Sequence, residues 1–206
     1  AREVSGDFFS FYPHNDSVYF IIADVAGKGI HAGMVMAKAS TLFEIMSRDQ
    51  VDPDEMIFHM NNDLFLTKTG GMFVTSILGE YNMKTDELRW VNGGHQPAII
   101  RSSSGDYQQF ESNSPPMGVI LQKDKSVYKT HRVKLENNRF YAFTDGLSES
   151  LNSQGNEIGI DGSLKIIEQN FNTDSSKQLS DISNSVINTA VDNKLSDDLT
   201  LISIGK

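Results

Sequence analysis

The 206-residue chain, 38% hydrophobic and 22% charged, suits one domain with an ample core. A net charge of −9 leaves no Lys/Arg excess to displace phosphate counterions, which argues against general nucleic-acid binding. Zero cysteines exclude disulfides, thiolate metal sites and cysteine nucleophiles, and fit a reducing, cytoplasmic setting. No run approaches the roughly eighteen apolar residues of a membrane span, and no signal-peptide pattern is present. The start at Ala1-Arg-Glu-Val, without an initiating Met, suggests a domain excised from a longer chain with a regulatory segment upstream.

Val18 to Asp24 is a continuous apolar run ending in an acid, as a strand buried on both faces would be. Ala26-Gly-Lys-Gly29 breaks it. Ile30 to Met46 then places apolar residues at helical spacing, and Asp52-Pro53 opens a second helix reaching Leu66. From Gly70-Gly71 the period changes. Met72 to Tyr81 and Glu87 to Val91 predict one hairpin, Pro97 to Arg101 and Tyr107 to Phe110 a second, and Val127 to Leu135 with Arg139 to Asp145 a third. Asp161 to Phe171 and Lys177 to Val191 read as helices, and Leu199 to Ile204 closes the chain as a strand. A run of hairpins between segregated helix pairs points to an α+β fold with layered packing rather than βαβ units.

The informative acids sit where buried strands meet glycine-rich or polar turns. Asp24 precedes Val-Ala-Gly-Lys-Gly, Asp145 precedes Gly-Leu-Ser-Glu, Asp197 and Asp198 precede Leu-Thr-Leu-Ile, and Asp7 lies between Gly6 and Phe8-Phe9. One such aspartate alone is most often a cap or turn residue. Together they would bring dense negative charge to one end of a sheet, costly unless a cation neutralises it. Oxygen-only donors favour hard ions such as Mg²⁺ or Mn²⁺ over Zn²⁺.

Six stretches occur in order: Ser5-Gly6-Asp7-Phe8-Phe9, Ala23-Asp24-Val25-Ala26-Gly27-Lys28-Gly29-Ile30-His31-Ala32, Phe73-Val74-Thr75, Asn92-Gly93-Gly94-His95-Gln96-Pro97, Phe143-Thr144-Asp145-Gly146-Leu147-Ser148-Glu149 and Ser196-Asp197-Asp198-Leu199-Thr200-Leu201. Their order and spacing resemble the SpoIIE-type (RsbU-like) branch of the metal-dependent, type 2C-like serine/threonine protein phosphatases, over nearly the whole chain. The resemblance implies a four-layer αββα sandwich, two antiparallel sheets flanked by helix pairs, with two Mn²⁺ or Mg²⁺ ions at one end. By position it makes Asp24 the bridging carboxylate, adds the Val25 backbone carbonyl, gives Asp145 and Asp197 to the first metal and Asp7 to the second. Strand alternation would turn Asp198 away from Asp197, so only one of the two should face the metals. Phe9 and Ser10 stand where many members carry Tyr and Asp, removing an acid near the entrance. Gly6 stands where the wider family has an acid, as in the SpoIIE-type branch.

With no cysteine and no serine-nucleophile motif, the chemistry expected is hydrolysis by a metal-activated water. His31 and His95 qualify as general acids by residue type, although a histidine beside a glycine-rich turn is more often a structural donor. Lys28 is either a phosphate contact or a solvated loop lysine. Met34, Met36, Met46, Met56 and Met60 make the first helix pair Met-rich, which core packing explains; the functional alternative is a partner or homodimer surface. The resemblance implies that this pair is a switch beside the metals under an upstream sensory domain, and that the substrate is a phosphoserine or phosphothreonine on an anti-sigma-factor antagonist. The competing readings are a hydrolase of another phosphoester, such as a nucleotide, and a pseudophosphatase that binds a partner without turnover.

Overall fold

Phe8–His14 (β1) and Ser17–Val25 (β2) form an antiparallel hairpin, closed at Asn15-Asp16 by the left-handed backbone of Asn15 (φ 51°). In this computed structural model, residues 6–67, 70–172, 174–190, 195 and 197–205 are described. Ser5, Val191 and Ser196 lie outside them. β1 is a strand that the sequence reading did not find. Its residues alternate between covered and exposed, leaving Phe9 and Phe11 in edge-to-face contact at the surface.

Ile30–Arg48 (α1) and Pro53–Leu66 (α2) follow at the expected positions. α1 buries Ala32, Val35, Ala39 and Phe43, the 3–4 spacing of one helical stripe. α2 carries Pro53 in its first turn and buries Met56, Ile57, Met60 and Leu64. Met56 and Met60 are therefore core residues, whereas Met34 stands 66% exposed.

Val74–Asn82 (β3) and Glu87–Gly93 (β4) extend the first sheet, whose order is β1-β2-β3-β4-β7, with β7 at His131–Lys134. Ala98–Arg101 (β5), Tyr107–Phe110 (β6), Arg139–Phe143 (β8) and Leu201–Ile204 (β9) form the second, ordered β6-β5-β8-β9. Between β8 and β9 run a single turn, Asp145–Ser148 (α3), and two longer helices, Gly159–Gln169 (α4) and Ser175–Thr189 (α5).

One expected pairing is corrected. β7 and β8 are neighbours in sequence but not a hairpin, because β7 pairs with β4 in the first sheet and β8 with β5 and β9 in the second. The Glu136-Asn-Asn138 turn hands the chain from one sheet to the other. The strand expected from Val127 is also shorter, since Lys125–Val127 is a 3₁₀ turn.

Three apolar layers make this the αββα sandwich. Tyr19, Ile21, Ala23 and Val25 on one face of β2 pack under α1 and α2. Phe20 and Ile22 on its other face meet Trp90, Phe140, Ala142 and Ile202 between the sheets. Ile99, Tyr141 and Phe143 pack on the outer face against Ile166, Ile167, Ile182 and Val186 of α4 and α5. Each fully buried Val, Ile or Phe side chain among them stabilises the fold by about 1.5–3 kcal/mol relative to exposure. Among the described residues, no helix is long and apolar enough to cross a membrane.

Candidate active site

Asp24 continues the Phe20-Ile22 face of β2, so strand alternation points it between the sheets at the end where the sandwich opens. Thr75 stands opposite it across the β2–β3 ladder. Asp145 opens α3 directly after β8, Asp197 lies in the segment leading to β9, and Asp7 immediately precedes β1. Four distant chain segments thus deliver carboxylates to one end.

The electrostatics of the four are those of acids brought together. Burial pushes the Asp7 carboxyl up to about 7, helped by the charge of Asp24 and opposed by hydroxyl bonds from Thr144 and Thr200. Asp24 is raised by burial, then by the charges of Asp145 and Asp197, and it shares a hydrogen bond with Asp7. Asp145 is raised by burial and by Asp197. The contact between the two carboxyls raises Asp7 and lowers Asp24, as expected where one acid keeps its proton more readily than the other. Lys28 supplies a full positive charge, its Nζ lying 3.1 Å from Asp197 Oδ2.

The backbone is shaped to let these segments meet. A Cβ on Gly6 would lie 2.5 Å from the Val25 carbonyl oxygen and 2.9 Å from Asp24 Oδ1. A Cβ on Gly146 would overlap the Asp198 carbonyl oxygen. Only glycine permits either approach. Asp198 itself is exposed, and its N–H donates to Asp197 Oδ1 at 2.9 Å. Strand alternation does not govern this pair, because β9 begins only at Leu201.

The threonines beside the acids lie within the stretches that carry the family resemblance, yet no role was read for them from the sequence. Thr200 Oγ1 donates to Asp7 Oδ2 at 3.2 Å, the Thr200 N–H donates to Thr144 Oγ1 at 3.0 Å, and the Thr144 N–H donates to the Thr200 carbonyl at 3.0 Å. They tie the start of β1 to the ends of β8 and β9. Glu149 also belongs to this electrostatic neighbourhood, raised by burial and by the charge of Asp145.

Asp24 and Asp145 line a cavity of about 230 Å³ with Thr75, Gly94, His95 and Gln96. His95 is buried here. His31 is not part of this wall: it sits in the first turn of α1, exposed, along a separate apolar cleft with Met34, Leu64 and Met72.

The donors fit a hard divalent cation, being oxygen-only and, among the described residues, outnumbering the positive charge beside them. Among the described residues no three acids or imidazoles close into a finished metal cage, so the carboxylates share a region rather than a preformed socket.

The profile of the family described as Stage II sporulation protein E (SpoIIE) matches residues 14–205. The phosphoserine phosphatase RsbU of Bacillus subtilis is 25% identical over 203 residues, covering 98% of this chain and 59% of that protein. Protein IcfG of Synechocystis is 24% identical over 234 residues, 99% of this chain and 36% of that one. The chain thus spans less than two thirds of either relative. Among solved structures, the PP2C phosphatase domain of SpoIIE from Bacillus subtilis, determined with a fragment of its regulatory domain, superposes with a TM-score of 0.82 at 19% identity over 97% of this chain and 58% of that one. RsbX, solved in complex with magnesium, gives a TM-score of 0.69 at 24% identity over 97% and 86%.

Proposed function

The chain belongs to the SpoIIE family, and on that premise we propose that it is the catalytic domain of a metal-dependent protein serine/threonine phosphatase. The observation that carries the reading is the meeting of Asp7, Asp24, Asp145 and Asp197 at one end of the sandwich, where burial and mutual repulsion raise the proton affinity of the first three. Acids raised by burial and by one another in a cleft are a mark of a functional site.

Asp24, the Val25 carbonyl, Asp145 and Asp197 are the residues that would hold one divalent ion, and Asp7 with Asp24 a second, Mn²⁺ or Mg²⁺ in each case. Bound there, such ions lower the pKa of water and offset charge on phosphoryl oxygens. The protein contributes orientation. Thr144 and Thr200 hold the Asp7 carboxylate, and Gly6 and Gly146 allow the close approach of their neighbours. The match to a protein named a phosphoserine phosphatase supports phosphoserine as substrate; phosphothreonine, and an anti-sigma-factor antagonist as the protein that carries the phosphate, are the finer part of the proposal.

The relatives' additional length leaves room for a regulatory partner outside this chain, which the proposal places upstream. α1 starts one residue after the Val25–Gly29 turn, so a displacement of α1 would move the Asp24 end of the site. A chain in which the competent arrangement is scarce would show apparent metal affinity reduced by that fraction.

The test is turnover of p-nitrophenyl phosphate with Mn²⁺ and with EDTA, followed by competition between phosphopeptides and nucleotides. Mn²⁺-dependent turnover inhibited by phosphoserine peptides is expected. Metal-independent turnover, or none with Mn²⁺ in either the fragment or a longer chain carrying its regulator, would refute the proposal.

A further inference from the structure

His95 is held by a loop built from both sides. The chain leaves β4 of the first sheet at Gly93 and enters β5 of the second at Ala98. Within that crossing, the wholly buried Asn92 side chain accepts from the His95 N–H at 2.9 Å and donates to the Gln96 carbonyl at 2.9 Å. The imidazole is thereby fixed between the two sheets, with only 8% of the residue exposed. Its Nδ1 lies 2.8 Å from Thr75 Oγ1, and Thr75 is the cross-strand partner of Asp24. On its other side the ring lies near the backbone of Phe143, the last residue of β8 and two before Asp145, without completing a hydrogen bond to it.

We propose that His95 is a positioning residue, a strut between the sheets that fixes the strand end carrying Asp24 against the strand end carrying Asp145. The inference rests on the reading of those acids as a cation site. The two aspartates belong to different sheets and repel each other, so without a tie across the layer they would relax apart. A cation site tolerates little such slack, since ligand distances must fall within about 0.2 Å of their ideal values. His95 touches both strand ends at the cavity wall. Nε2 makes no hydrogen bond and has no access to solvent, which separates this role from proton donation to a leaving group in the open cavity. Burial also holds the ring neutral, pulling its pKa down to about 4, so the strut adds no positive charge to compete with a cation.

The test uses Mn²⁺ binding, read by the electron paramagnetic resonance signal of free Mn²⁺, beside the melting temperature of each metal-free protein. His95→Leu and Thr75→Val are each expected to weaken Mn²⁺ binding about tenfold, the lower range for residues that orient metal ligands. His95→Asn, which retains a polar group near the Nδ1 position, should recover most of the loss. Turnover lost at low Mn²⁺ should return as Mn²⁺ is raised. Thr75→Val is nearly isosteric and carries the test if His95→Leu fails to fold. Wild-type Mn²⁺ affinity in folded Thr75→Val and His95→Leu would overturn the strut. So would wild-type affinity combined with a turnover defect that no Mn²⁺ concentration relieves, which would mark His95 as acting on substrate. Asp24→Asn is the control that separates the two levels: if it too binds Mn²⁺ like wild type, the cation-site reading fails, and the strut with it.

Discussion

The β2–β3 ladder carries an acid near each end, and the two ends neutralise their acids by different means. At one end, Glu80 pairs with Tyr19, accepts from Ser17 Oγ at 2.6 Å and receives the Arg89 guanidinium from the neighbouring strand. Arg89 reaches on to Asp52, which precedes α2, at 2.8 Å. That end supplies its own counter-charge and stitches the first sheet to its helix layer. At the other end, Asp24 faces between the sheets beside another acid, Asp7, and Lys28 pairs with Asp197. The same ladder thus closes one acid into the fold and leaves the other, among the described residues, surrounded by acids. The first arrangement is that of a structural tie and the second that of a site awaiting a ligand.

The largest effect that would break this comparison is on activity. Asp24→Asn or Asp145→Asn should lower Mn²⁺-dependent turnover by about a thousandfold or more, about 4 kcal/mol of transition-state stabilisation. Removing one of several repelling carboxylates should leave the metal-free protein melting no lower than wild type. Near-wild-type turnover at saturating Mn²⁺, or a large fall in the metal-free melting temperature, would contradict the assignment.

The opposite end should respond in the opposite sense. Arg89→Met leaves the Glu80 carboxylate buried without its guanidinium, a change expected to cost about 3 kcal/mol of stability. Turnover of the folded variant at low temperature should stay close to wild type. Urea denaturation beside an activity assay checks both. Equal damage to Mn²⁺ affinity would show that the two ends are not independent.

The sequence made the acids legible and their supports illegible, for a physical reason. Asp24, Asp145 and Asp197 each interrupt an apolar run at a turn, and charge in such a place is conspicuous. Thr75, Thr144 and Thr200 are β-branched residues at or beside strands, where threonine is expected on propensity alone. Only the three-dimensional approach of Asp7 and His95 gives their hydroxyls a role. Strands followed a similar rule. β2 to β6 could be read from alternation and turns, whereas β1 was missed because Pro13 and two exposed phenylalanines blur its pattern. The β7–β8 error arose because a local turn predicts that two strands are adjacent in sequence without saying which sheet each joins.

A smaller effect should appear in the pH dependence of the metal-free protein. The Asp7 carboxyl titrates near 7 when folded and near 3.8 when unfolded, so the folded state binds more protons between those values. Its contribution to stability therefore falls as pH rises from about 4 to about 7 and is restored on acidification. Asp7→Asn removes that loss. In EDTA the variant should be more stable than wild type above pH 7, by about 1 kcal/mol because the carboxyl still partly reaches water, and the advantage should vanish below pH 4. Comparing variant with wild type cancels the opposing titration of His95, whose folded pKa is lowered. A constant difference across the whole range would mean that Asp7 is not the titrating group.

The smallest expected change in stability is at Lys28, and it separates two uses of one cation. Its contact with Asp197 joins two half-exposed side chains, a pairing that typically contributes about 0–1 kcal/mol. Lys28→Met should therefore alter the metal-free stability by less than about 0.5 kcal/mol. If the lysine serves to neutralise Asp197 until a metal arrives, its removal frees a ligand and Mn²⁺ should bind about two- to threefold more tightly, a gain of about 0.5 kcal/mol. A phosphate-binding lysine would behave differently: Mn²⁺ affinity would hold while KM for a phosphopeptide rose. The first outcome is expected, because Lys28 Nζ already lies at hydrogen-bonding distance from a carboxylate of the site. Isothermal titration with Mn²⁺, set beside KM measured at saturating Mn²⁺, decides between them. A rise in KM without any change in metal affinity would reassign Lys28 from the metal to the substrate.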